Sequence, residues 1–275
     1  MKRFKMISVI SLMFLAFLAC QKYDISTTVD ETLLSQQVTI AEETLADIDI
    51  LVDEALNLNF GLLKSVTTES SVYLSDCPVV TVDKTSSPQV MTIDFGTSCT
   101  GRDGKVRSGK IIVTSTAFNV FPSVRSKSFE NFFVDGKKIE GSVTKTISTD
   151  QVNNIRTANT KENITITFPD AEGTAKRVAN MTRQYQRNTL ENPADNQVVS
   201  WGTVEFTKVS GVTVSKAISD KTPLVFKASC HHIVSGIVSF SNSNDRKWSI
   251  DYGNGECDNK AMLTSGDKTK EIKIR

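Results

Sequence analysis

Two periodicities divide this chain. Over residues 28–61, apolar side chains recur at Leu34, Val38, Ala41, Leu45, Ile48, Val52 and Ala55, in steps that alternate between four and three. That spacing predicts one amphipathic helix with a narrow apolar stripe. Thr28-Val29-Asp30-Glu31 fits a capping box at its start, and Gly61 suits its end. From Ser71 the period falls to two. Residues 90–95, 108–119 and 163–168 are rich in Val, Ile, Thr and Phe, as strands with one buried face should be. Asp135-Gly136, set between Phe132-Phe133-Val134 and Lys137-Lys138-Ile139, marks a two-residue hairpin. Asp103-Gly104 marks another tight turn, and residues 169–173 and 242–245 suit two more connections.

Long strands, short turns and no second helical pattern predict an antiparallel meander. The expected fold is mainly β: a large antiparallel sheet, curved as a half-barrel or closed as a sandwich, with one N-terminal amphipathic helix packed on it. Residues 62–275 then form a single β domain. Its two halves, about 62–190 and 198–275, meet at a polar loop containing Pro193. The halves echo each other. Ile93-Asp94-Phe95-Gly96 leads to Cys99, and Ile250-Asp251-Tyr252-Gly253 leads to Cys257, with Cys77 and Cys230 upstream of each. Four cysteines permit three pairings. The repeat favours Cys77–Cys99 and Cys230–Cys257, and a four-cysteine zinc site lacks the close Cys-x-x-Cys pair it would need.

Residues 1–19 read as a targeting signal: Lys2, Arg3 and Lys5 precede an apolar run too short for a ~30 Å bilayer core. The run ends in Phe17-Leu18-Ala19-Cys20, which resembles the lipobox of bacterial lipoproteins, although Phe17 stands where leucine is usual. That resemblance implies lipidation of Cys20, a tether over 20–27 and a membrane partner reached through the lipid. Gln21, in place of a retention aspartate, points to the outer membrane. Lys22 and Asp24 faintly resemble a surface-export signal. The remaining four cysteines fit an oxidising compartment.

Charge is unevenly spread. Nine acids and no base lie between Lys22 and Lys64, whereas the chain from Lys64 onward carries 28 basic and 22 acidic residues. The helix should therefore dock on its own sheet or meet a basic partner.

Candidate chemistry is sparse. His231 and His232 are the only histidines, and as strand neighbours they point to opposite faces, so they do not share a metal or a catalytic centre. No Gly-x-Ser-x-Gly elbow or phosphate loop occurs; Gly101-Arg102-Asp103-Gly104 lacks the length and the following helix. Asp94 and Asp251 precede glycine turns and are expected to cap them. Glu256 and Asp258 flank Cys257 without a calcium-loop spacing. Trp201, Trp248, Tyr185 and Tyr252 are candidate carbohydrate platforms, but Trp248, Ile250 and Tyr252 alternate as one core face of a strand would. The expectation is no catalytic residue, no metal, no cofactor and no nucleic-acid partner.

These features together resemble a family of Bacteroidota lipoproteins that carries no assigned activity. The likeness rests on the lipobox, the acidic helix, Cys77-Pro78-Val79-Val80-Thr81-Val82, the Ile93-to-Cys99 unit and Asp251-Tyr252-Gly253-Asn254-Gly255-Glu256-Cys257-Asp258-Asn259-Lys260. It implies address and architecture only. The functional expectation is a lipid-anchored envelope or surface module that binds a glycan or envelope protein, or is structural, without catalysis. One alternative is a carrier holding an acyl chain in the curved sheet; another is a carboxylate-dependent hydrolase.

Overall fold

The computed structural model describes residues 25–60, 77–118, 120–169, 172–186, 196–227, 229–230 and 232–273, with helix side chains from Ile40 onward except Glu42. Cys20, His231, Gly61, most of the loop between the halves and the side chains of Leu34 and Val38 lie outside this set.

Among the described residues, one helix, α1 (Ile25–Phe60), precedes fifteen strands. It begins at Ile25, upstream of the Thr28 capping box, and residues 20–24 of the expected tether lie outside the described residues. The strands are β1 (Val79–Asp83), β2 (Gln89–Asp94), β3 (Cys99–Thr100), β4 (Val106–Ser115) and β5 (Ser123–Val134). There follow β6 (Lys137–Asp150), β7 (Ile155–Phe168), β8 (Gly173–Gln186), β9 (Gln197–Thr207) and β10 (Thr213–Ile218). The last are β11 (Leu224–Lys227), β12 (His232–Asn242), β13 (Lys247–Asn254), β14 (Lys260–Ser265) and β15 (Lys268–Lys273). All join one antiparallel sheet in almost pure meander order. β10 and β11 break that order. They lie between the same two strands, β10 on Gly202–Thr207 of β9 and β11 on Gln197–Ser200, so one place in the sheet is filled by two short pieces.

The turns follow the expected chemistry. Asp135 and Gly136 both have positive φ, 48° and 76°, the backbone that a two-residue hairpin with native strand twist requires. Asn242 turns the chain between β12 and β13, its Oδ1 accepting from the Asn244 and Arg246 amides at 3.0 Å each. At the outer edge, β15 carries Lys268, Lys270 and Lys273, charges that discourage another chain from pairing there.

One face of the sheet is apolar beneath α1. Met91 and Ile93 of β2 pair with Val113 and Ile111 of β4, and Ile139 of β6 with Ile166 of β7. All six are sealed from solvent together with Ala41, Ile48, Val52 and Ala55 of the predicted stripe. Leu45 is only partly buried, while Leu51 and Leu56, outside that stripe, are fully buried. The buried helix face is therefore wider than a coiled-coil seam, as packing against a broad sheet demands. No helix among the described residues is long and apolar enough to cross a membrane.

Candidate functional site

Where α1 crosses β5 and β6, the apolar face is interrupted by cations. Arg125 and Lys127 alternate with Ser126 and precede Phe129 at the same period, which puts both basic side chains on the core face. Arg125 pairs in register with Lys145, and Lys127 with Val143. Asp49 descends from the helix to meet them. Lys127 donates to Asp49 Oδ1, and Lys145 Nζ lies 3.8 Å from Oδ2. Burial pushes the Asp49 carboxyl up, but Lys127 and Lys145, with Arg183 beyond them, outweigh it and hold it at about 2. A second tie, Lys105 to Asp47, joins the helix to the segment before β4. The acidic helix thus docks on the basic sheet of its own chain.

Arg125 is held differently. It is 6% exposed, its Nη2 donates to the Phe118 carbonyl at 2.8 Å, and its Nε has no hydrogen-bond partner. Among the described residues no carboxylate comes within ion-pair distance of it, although Asp53 acts on it electrostatically. Burial and the neighbouring Arg156 both push its pKa down. Arg125, Lys127 and Lys145 line a small cleft with Asp49 and Asp53, walled by Val52, Leu56, Val113 and Val143. The hydrophobic-polar pattern held the signal for this cluster: Arg125 and Lys127 stand in positions where a half-buried strand ordinarily has Val or Ile.

The twin cysteine units close on themselves, as the repeat suggested. Cys77 is bonded to Cys99 and Cys230 to Cys257, with Cα separations of 5.7 and 5.5 Å. The two aspartates cap their turns identically: Asp94 Oδ1 accepts from the Gly96 amide and Asp251 Oδ1 from the Gly253 amide, each at 2.9 Å. The Gly96 hydrogen bond, aided by Lys110, keeps the Asp94 carboxyl below its usual range. The surroundings differ. Cys99 is 3% exposed and sits in the core, next to Arg107, which grips Asp103 through two hydrogen bonds of 3.0 and 2.6 Å. Cys257 lies at the surface. Near it Asp251, Glu256, Asp258, Lys260 and Glu271 border a shallow depression, in which Asp258 caps the Lys260 amide and Lys260 pairs with Glu271 at 3.4 Å. Among the described residues no group of His, Cys, Asp and Glu is placed to hold a metal. His232 Nε2 accepts from the Asn259 amide at 3.2 Å.

The second half of the sheet has a smaller core. Ile218, Leu224 and Val238 are buried, and Met181, Trp201, Ile233, Phe240, Ile250 and Tyr252 are only partly covered. Trp248 stacks on Phe240 with ring centres 5.3 Å apart and planes 7° from parallel. Trp248, Ile250 and Tyr252 do share a face, as their alternation predicted, but that face stays half-open instead of forming a sealed core. Burial pushes the Tyr252 phenol up. Tyr185 is 43% exposed.

No protein-family model, curated protein or solved structure matches the chain. The structure presents a small cleft lined by Arg125, Lys127 and Lys145 beneath α1, and a half-open apolar face around Phe240 and Trp248.

Proposed function

We propose that this chain is a lipid-anchored protein of the bacterial envelope, attached to the outer membrane through Cys20, and that it binds a ligand or envelope partner without turning it over. The observation that carries the address is the closure of both cysteine units as disulfides, bonds that persist in oxidising compartments. The lipobox-like Phe17-Leu18-Ala19-Cys20 supplies the anchor. Binding is supported by the cationic cleft beneath α1. The carboxylates that face other groups serve as turn caps and ion-pair partners, roles that need no turnover. A glycan or an envelope protein is the expected partner class.

Detergent-phase partitioning tests the address. Wild type should enter the detergent phase and Cys20→Ser should stay in the aqueous phase; equal partitioning would remove the anchor. Turnover of envelope glycans, esters or peptides by the purified protein, abolished by changing one carboxylate to its amide, would overturn the binding reading.

A second reading is a carrier of an acyl chain. The half-open face around Phe240, Trp248 and Ile250 favours it, because an aliphatic ligand there would complete the smaller core. Addition of a fatty acid should then change tryptophan emission, and Trp248→Ala should abolish the change.

A further inference from the structure

Building on the binding reading above, we propose that the cleft beneath α1 binds a small oxyanion, a phosphate or a carboxylate group, on Arg125. A guanidinium buried with no carboxylate in ion-pair reach is an expensive arrangement, and an incoming counter-charge would relieve it. The neighbouring acids do not supply it. Asp49 is already shared between Lys127 and Lys145, and Asp53 acts on Arg125 without forming an ion pair. Three cations against two carboxylates leave the cleft positive, and Arg156 adds to the field at Arg125.

The geometry suits the chemistry. Nη2 is committed to the Phe118 carbonyl, while Nε is buried without a partner, so the donors of the planar fork are not all satisfied within the chain. That fork matches the spacing of two oxygens on phosphate or carboxylate, which a lysine ammonium does not. Val52, Leu56 and Val113 wall the site, and their low polarity strengthens any ion pair formed inside it. The cleft has room for roughly two water molecules, so it admits the charged oxygens of such a group while the rest of a larger ligand stays outside.

Titration calorimetry on the purified full chain in detergent tests this, with inorganic phosphate, acetate and dihexanoyl phosphatidic acid as probes at constant ionic strength. Wild type should bind at least one of these saturably. Arg125→Met should weaken that binding at least tenfold, and Arg125→Lys, which keeps the charge without the fork, should weaken it less. Because Arg125→Met exchanges a buried charge for an apolar side chain, its folding is checked by the unfolding midpoint. If it does not fold, Arg125→Lys carries the comparison. Tighter binding of the phosphatidic acid than of phosphate assigns the oxyanion to a lipid headgroup; equal or weaker binding assigns it to a free ion, and either supports the site. Binding unchanged in both Arg125 variants, or no binding of any probe, would overturn the oxyanion site. In that event the fatty-acid response of the Phe240–Trp248 face still decides the broader binding reading separately.

Discussion

Lys127 and Asp49 stand 78 residues apart in the chain, and the lysine ammonium donates to the aspartate across the helix–sheet interface. Lys127 is 8% exposed at its side chain, so the pair is more than a surface contact. It locks the helix in one register on the sheet. Lys145, 3.8 Å from the same carboxylate, makes Asp49 the meeting point of helix, β5 and β6.

Acid should therefore loosen the helix. The Asp49 carboxyl titrates at about 2 in the folded protein against 3.8 ordinarily, so folding favours its charged form. Its contribution, roughly 2 kcal/mol, is fully present well above pH 4 and is lost as pH falls through 2. Urea unfolding measured between pH 7 and pH 2 should show this decline, and Asp49→Asn should flatten it. An equally steep decline in the variant would assign the acid sensitivity to other groups.

Removing Asp103 should cost more than removing a surface acid. Arg107 is 1% exposed and both of its Nη atoms hydrogen-bond Asp103. Asp103→Asn leaves a buried guanidinium without its counter-charge, at about 3–5 kcal/mol. Asp220→Asn, on an exposed turn, should change the unfolding free energy by less than about 0.5 kcal/mol.

The helix face can be mapped by truncation. Leu51 is fully buried and Leu45 only partly, so Leu51→Ala should destabilise by about 3–4 kcal/mol and Leu45→Ala by clearly less. Equal effects in denaturant titrations would contradict the helix orientation.

The two disulfides should be separable by position. Each closes a loop of similar span, 22 and 27 residues, with about 3–4 kcal/mol of chain-entropy stabilisation. Only Cys99 is in the core, so mild reductant should open Cys230–Cys257 first. Timed alkylation with peptide mapping would reveal the order.

One glycine should resist substitution. Gly109 has φ +78°, and a Cβ there would lie 1.9 Å from the Asn131 carbonyl oxygen, at the bulge where the β4–β5 register shifts. Gly109→Ala should cost about 2–3 kcal/mol, read as a lowered melting temperature.

Local chemistry was legible in the chain itself. Alternation fixed the strand faces, Asp135-Gly136 fixed a hairpin, and the twin Asp-aromatic-Gly units carried both their turn caps and their cysteine pairing. The faces, hairpin and caps depend on residues close in sequence, where backbone geometry decides the outcome, and the cysteine pairing followed from the repeat of the unit. The acidic helix and basic remainder also foretold docking, since opposite charges on covalently joined segments attract whatever the fold. Tertiary structure alone decided the rest. Leu51 and Leu56 became core because a broad sheet covers more of a helix than a narrow stripe. The Trp248 face stayed half-open because residues of one strand cannot specify what lies above them. The Arg125 cleft formed because Asp49 and Asp53 of the helix came to rest on β5 and β6, and non-local electrostatics of that kind exists only once distant segments have packed.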